Sequence, residues 1–231
     1  MLFRLLLFAA VCLVAPVFAV AEDHREFDPL AAYGPQIEFE VMRNGDPIGN
    51  HTVSFRRSAE GLHVDVEMSL KVRLLGITVY RFAYLSESVW RNGQLAELKA
   101  ITDDDGEISE VDAVMQDGGL WISGPAGLLK GPAGLFPTDH WHPGVRGSET
   151  VINTITGQLA AVAIRQDGAE RIATGTGSRA AARHVYSGDL HDIEVWYDNE
   201  GRWVRLRFPD KSGGMIDYRC IRCGPERTGV R

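Results

Sequence analysis

Residues 62–73 alternate without a break: Leu62, Val64, Val66, Met68, Leu70 and Val72 are apolar, and the six residues between them are polar. A period of two sends successive side chains to opposite faces, so this run is a strand with one buried and one wet face. The same pattern marks strands at 36–43, 53–57, 95–101, 108–115, 193–197, 203–208 and 215–221. Between them stand tight-turn residues at regular spacing. They are Asn44-Gly45-Asp46, Ser58-Ala59-Glu60-Gly61, Asn92-Gly93, Asp103-Asp104-Asp105-Gly106, Asp117-Gly118-Gly119, Asp167-Gly168, Asn199-Glu200-Gly201 and Ser212-Gly213-Gly214. Asn-Gly and Asp-Gly supply the positive φ that short hairpins demand.

The run 77–90 differs because it is apolar on both faces. Val79, Ala83, Leu85 and Val89 share one, and Tyr80, Phe82, Tyr84 and Trp90 the other. Cover on two sides is expected, with a bend, since fourteen extended residues reach about 46 Å. The plain reading is a central strand under a second layer. The sharper one is an aromatic wall around a ligand cavity, formed by Tyr80, Phe82, Tyr84 and Trp90 together with Trp141. One short helix is expected near 148–156, with Ser148 as its cap and Glu149 in its first turn. No strand-helix alternation occurs, which excludes a doubly wound parallel sheet. The expected fold is all-β and mainly antiparallel: a curved, spiral or half-barrel sheet of many hairpins with one packed helix.

The first residues, MLFRLLLFAAVCLVAPVFAVAEDH, read as a secretory signal peptide. Arg4 precedes an apolar run, and Ala19-Val20-Ala21 offers a small-residue cleavage site before Glu22. Val11 before Cys12 disfavours a lipoprotein signal. No later segment approaches the roughly 20 apolar residues of a spanning helix. The expected organisation is a leader over 1–21, a linker over 22–32, one β domain over 33–223 and a tail over 224–231, in a periplasmic or secreted protein. The chain carries 24 Lys+Arg against 31 Asp+Glu; without Arg4 the balance is 23 against 31, a net charge of −8. Scattered cations on an acidic chain argue against nucleic acid and against a polybasic grip on anionic lipid.

The segment 124–143, GPAGLLKGPAGLFPTDHWHP, holds the candidate chemistry. Two copies of GPAGL are too few for a repeat architecture. Pro125, Pro132 and Pro137 are excluded from a central strand, so the segment is expected as an apolar loop. In an extended stretch His140 and His142 point to one side and Trp141 to the other, and two imidazoles so placed can share a divalent metal. The acidic and second-histidine partners of cupin or metallo-hydrolase motifs are missing. The plain alternative is Trp141 as a loop anchor flanked by two histidines. Cys220 and Cys223 admit three readings: a disulfide if the strand turns near Cys220, free or redox-active thiols, or metal ligands. Asp103–Gly106 lacks the first ligand of a calcium loop. No nucleophile elbow, zinc-protease pair or phosphate loop occurs. No cofactor is implied.

Three stretches carry a family resemblance: Phe136-Pro137-Thr138-Asp139-His140-Trp141, Ile152-Asn153-Thr154-Ile155-Thr156-Gly157, and Val195-Trp196-Tyr197-Asp198 with Gly201-Arg202-Trp203-Val204. In this order they resemble a family of uncharacterised exported proteins of Gram-negative bacteria, a domain of unknown function akin to periplasmic envelope-integrity β-spiral proteins. The resemblance implies a spiralling antiparallel sheet and no catalytic residues. Together these readings point to a non-enzymatic periplasmic β-protein that binds an apolar or lipid-like ligand or an envelope protein. The alternative is a metal or thiol-redox protein using His140, His142, Cys220 and Cys223. The oligomeric state is not legible.

Overall fold

The computed structural model describes residues 27–225, so the expected signal peptide and most of the expected tail lie outside the described residues. One sheet of fifteen strands accounts for nearly the whole fold. The strands are β1 (Gln36–Arg43), β2 (Asp46–Ser58), β3 (Gly61–Leu74), β4 (Ile77–Arg91), β5 (Gln94–Asp104), β6 (Glu107–Gln116), β7 (Gly119–Gly124) and β8 (Gly127–Pro132). The second series is β9 (Phe136–Pro137), β10 (Thr150–Ile152), β11 (Leu159–Thr174), β12 (Gly177–Gly188), β13 (Glu194–Asp198), β14 (Trp203–Pro209) and β15 (Met215–Arg222). Their spatial order is β8-β7-β6-β5-β4-β3-β2-β1-β15-β14-β13-β12-β11-β10-β9. The first and last strands therefore lie side by side at the middle of the sheet. The two edges, β8 and β9, are consecutive in the chain. The sheet is curled but unclosed.

Turn chemistry builds the first series. Five two-residue turns place successive residues at positive φ: Asn44-Gly45, Leu75-Gly76, Asn92-Gly93, Asp105-Gly106 and Asp117-Gly118. Such turns match the right-handed twist of the strands they join. Even-numbered residues of β3 and β4 face inward in register, with Leu62 opposite Trp90, Val64 opposite Ser88 and Met68 opposite Tyr84.

Several expectations are corrected. Thr150–Ile152 is a strand, and Ser148 ends a 3-10 turn over Pro143–Gly147 instead of opening a helix. The short α-helix is α1 (Pro29–Tyr33), in a region read as linker. Asp28 caps it by accepting from the Leu30 N–H, and Pro29 pre-sets its first turn. The expected proline loop is not all loop: Gly127–Pro132, which joins the two GPAGL copies, is the edge strand β8, and Pro132 ends it where no partner needs its N–H. Asp167-Gly168 makes a bulge inside β11, whose hairpin with β12 turns at 175–176 instead. Lastly, β4 is covered on one side only, since Val79 is 51% and Leu85 53% exposed.

All strand pairs run antiparallel except β9 and β10. A parallel pair needs a crossover of about a dozen residues. Here that crossover is the twelve-residue segment 138–149, and it enters the concave side of the sheet. Trp141, its anchor, is fully buried.

Candidate functional site

The crossover carries Asp139, His140, Trp141 and His142, so it is where chemistry would reside. At its start the Trp141 N–H donates to the Asp139 carbonyl at 2.8 Å, across His140 at φ 58°. This is a γ-turn of the positive-φ kind, the rare and strained form. It is held by hydroxyls from three remote tyrosines. Tyr33 Oη donates to the Trp141 carbonyl at 2.8 Å and accepts from the Trp203 N–H at 2.8 Å. Tyr197 Oη donates to the His140 carbonyl at 2.9 Å. Tyr186 Oη lies 3.2 Å from His140 Nδ1. Helix α1, β12, β13 and β14 thus converge on one tripeptide.

The γ-turn breaks the extended geometry on which a shared His140–His142 metal rests. His140 meets Tyr186 and Trp203, whereas His142 stacks on Trp90 with ring centroids 5.7 Å apart and planes 9° apart. His142 Nδ1 is already an acceptor for the Gly144 N–H. Among the described residues, no group of three or more His, Cys, Asp or Glu side chains is placed to hold a metal ion. Cys220 and Cys223 are joined to each other, with Cα atoms 5.9 Å apart, which settles among their three readings on the disulfide. Cys220 is paired with Phe39 of β1, so the bridge lies at the seam where the two ends of the chain meet. Both residues are buried.

Burial governs the electrostatics of the site. Burial pushes the Asp139 carboxyl up to about 7 and pulls His140 down to about 4. Burial, aided by nearby Arg146, lowers His142 to about 4. His51, ringed by Phe39, Trp203 and Tyr218, is lowered by burial to about 3. Neither of its ring nitrogens has a hydrogen-bond partner in the protein. An imidazole so placed cannot charge near neutral pH. The hydroxyls of Tyr33, Tyr186 and Tyr197 are raised by burial as well, so none is poised as a base. The arrangement fixes a backbone conformation; it presents no nucleophile to solvent.

The five expected ligand-contacting aromatics separate into two groups. Tyr84, Trp90 and Trp141 are buried, and Trp90 meets Trp141 edge-on at 5.1 Å, with Phe136 5.8 Å from Trp90. Tyr80 and Phe82 are half-buried farther along β4, and Tyr80 Oη donates to Asp104. Two surface clefts, of about 600 and 430 Å³, are lined by none of these five. The larger is lined by Arg56, His63, Lys99, Asp112 and Trp121 among others, on the outer face of β2 to β8. The tyrosine ties were not legible in the sequence, because their partners lie 46 to 170 residues away. Only Asp28-Pro29, a cap followed by an N1 proline, announces the helix that delivers Tyr33.

The fold is similar to that of a solved structure from Brucella abortus, described as a beta-barrel-like protein of the domain of unknown function DUF1849. The match has a TM-score of 0.57 at 12% sequence identity, and covers 81% of this chain and 95% of that one. At that identity the likeness is one of fold. No curated protein matches the sequence. The model of one family, described as a domain of unknown function, DUF6134, matches residues 39–221, from the middle of β1 to the end of β15. The match takes in both arms of the sheet and the crossover between them, and the chain belongs to the DUF6134 family.

Proposed function

We propose that this is an exported, non-enzymatic β-protein of the cell envelope that works by binding an apolar or lipid-like ligand or a protein partner at its outer surface. The observation that carries this reading is the filled interior. The crossover occupies the concave side of the sheet, its Asp139 and His140 side chains are buried, and its polar backbone is tied by tyrosine hydroxyls. Chemistry on a diffusing substrate needs a reachable group of suitable pKa. The exposed apolar residues, by contrast, lie on strands and turns that face outward. Export is supported by the leader pattern of residues 1–21 and by a disulfide suited to an oxidising compartment.

The test is fractionation of the native host, with intact-mass analysis of the recovered protein. The expected product begins at Glu22, carries the Cys220–Cys223 bridge and sediments with the envelope. A chain that keeps Met1 and stays with the soluble cell interior overturns the reading.

A further inference from the structure

Strands β3 and β4 run on past both of their neighbours. β2 leaves β3 after the Gly49–Leu70 pair, and β5 ends at Asp104, opposite Phe82. Beyond those points Lys71 pairs with Arg81, Val72 with Tyr80, Arg73 with Thr78 and Leu74 with Ile77, with no strand on either flank. Gly49 marks the point of departure, since a Cβ there would meet the Ser69 carbonyl oxygen at 1.9 Å. Residues 72–80 are therefore a free two-stranded ribbon, and at its base the Arg81 carbonyl still accepts from the Asp105 backbone N–H at 2.9 Å.

Its sequence defies three folding preferences at once. Of the five turns with two successive positive-φ residues, four begin with Asn or Asp; this one begins with Leu75, at φ 51°. A bulky residue in that region is unfavourable. Leu75 is also 96% exposed, beside Leu74 at 64%, Ile77 at 69% and Val79 at 51%. Finally, Lys71 and Arg81 are like charges directly opposite one another, a destabilising cross-strand pair. Among the described residues neither of them, nor Arg73, takes part in an ion pair. Local choices that oppose the fold are expected where function demands them.

What the ribbon lacks is a partner with an apolar layer directly beyond an anionic one. At about 3.3 Å per residue, Arg73 lies roughly 7 Å and Lys71 roughly 13 Å behind the tip. Amphipathic segments bury their apolar side about 5–10 Å into the boundary between headgroups and acyl chains, and basic residues near the surface are drawn to anionic lipid. We propose that the β3–β4 ribbon is a membrane-contact finger. Leu74, Leu75, Ile77 and Val79 enter the interface of an anionic bilayer, while Lys71, Arg73 and Arg81 hold its headgroup phosphates. This rests on the reading of the protein as a surface binder and names what is bound.

The acidic balance of the whole chain does not oppose it, because charge is segregated. Leu70 to Phe82 contains three cations and no carboxylate. Asp105, beside Arg81, and Asp104, opposite Phe82, lie at the base of the ribbon, about 13 and about 17 Å behind the tip. There Asp104 accepts from Tyr80 Oη and pairs with Lys211, and Asp105 accepts from the Arg81 backbone N–H. Asp46 stands across the 430 Å³ cleft from Lys71 and Arg73.

Vesicle sedimentation of the full chain as its host processes it tests the finger. One set of vesicles is phosphatidylcholine alone, and the other contains about a third phosphatidylglycerol, enough to set a negative surface potential. The expected result is partition into the anionic vesicles that falls about tenfold or more in Leu75→Asp/Ile77→Asp and in Lys71→Glu/Arg73→Glu. Leu128→Asp, at the exposed edge strand β8, leaves it unchanged. All these positions are exposed, and circular dichroism verifies that each variant folds. Wild type and variants share one N-terminus, so the difference between them reads the ribbon alone. As a second readout, the fluorescence of Leu75→Trp shifts to the blue and is quenched by brominated acyl chains. Partition that the tip variants leave unchanged overturns the finger, and so does an absence of partition. Self-association abolished by Leu75→Asp, without vesicle binding, overturns it in favour of a contact between copies. None of these outcomes touches the fractionation result, so the finger can fail while the surface-binding reading stands.

Discussion

Strand β4 ends in two turns of the same backbone shape and opposite surroundings. At one end Asn92-Gly93 follows Trp90, which is buried against Trp141 and stacks with His142. At the other, Leu75-Gly76 precedes Ile77 and Val79, which face solvent. Of these two turns, the one at the packed end has the residue its backbone favours, and the one where nothing packs does not. Stability is therefore concentrated around the crossover, and the free ribbon is relieved of that duty. The difference gives four measurements, taken in decreasing order of effect.

The buried end fails first in acid. In the folded state His51, His140 and His142 are held down to about 3, 4 and 4, so between pH 6.5 and about 4 the unfolded chain binds protons that the folded chain refuses. Their contribution is present above pH 6.5 and is lost as the pH falls. Asp139 acts in the opposite sense: raised to about 7, its stabilising effect is lost as pH rises through that value. Three histidines against one aspartate leave about two protons, or roughly 3 kcal/mol of unfolding free energy per pH unit below 6.5. Urea midpoints at successive pH values read this slope, and a flat profile contradicts the sealed interior.

Removing the anchor at the same end comes next. Trp90→Ala is expected to cost about 3–5 kcal/mol, because the side chain leaves a cavity between Trp141 and Phe136. A loss below about 1 kcal/mol in denaturant unfolding would make the two ends of β4 equivalent. Tyr33→Phe is subtler, as it deletes one hydroxyl and leaves the Trp203 N–H and the Trp141 carbonyl buried without it. About 2–3 kcal/mol is expected. Chemical denaturation that shows no change means the γ-turn holds itself.

The smallest effect has the opposite sign. Leu75→Asn gives the free turn the residue used at Asn44 and Asn92, and should raise stability by about 0.5–1 kcal/mol by easing the positive φ. A higher denaturation midpoint together with weaker vesicle partition would separate the two demands on one residue. A lower midpoint would show that Leu75 packs in solution.

Much of the sheet was legible because it obeys local chemistry. The Asn-Gly and Asp-Gly turns and the period-two runs place β1, β3, β5, β6, β14 and β15 close to where they stand. Strands β11 and β12 were not, since Leu159–Thr174 and Gly177–Gly188 are rich in alanine, arginine and glycine, which carry no strand signature. The Leu75-Gly76 turn was hidden for the reason that makes it informative: leucine is not a turn residue. At the crossover, Trp141 as an anchor could be read from its flanking prolines. The γ-turn at His140 could not, because tertiary hydrogen bonds impose it. A shared metal at His140 and His142 presumed an extended backbone that those bonds forbid.

The pairing of β1 with β15 has a consequence for how the chain could be rewired. Every other neighbour in the sheet is also a neighbour in sequence, and Gly34 lies within 3.9 Å of Pro225 by its missing Cβ. Joining the ends there and cutting between Pro132 and Phe136 would yield a circular permutant that runs from one edge of the sheet to the other in a single pass. It would keep the same strand order and lose its most distant strand pairing. Contact order would fall, and folding should quicken accordingly. The natural connectivity instead leaves the inner edge of β1 waiting until the last strand has been made.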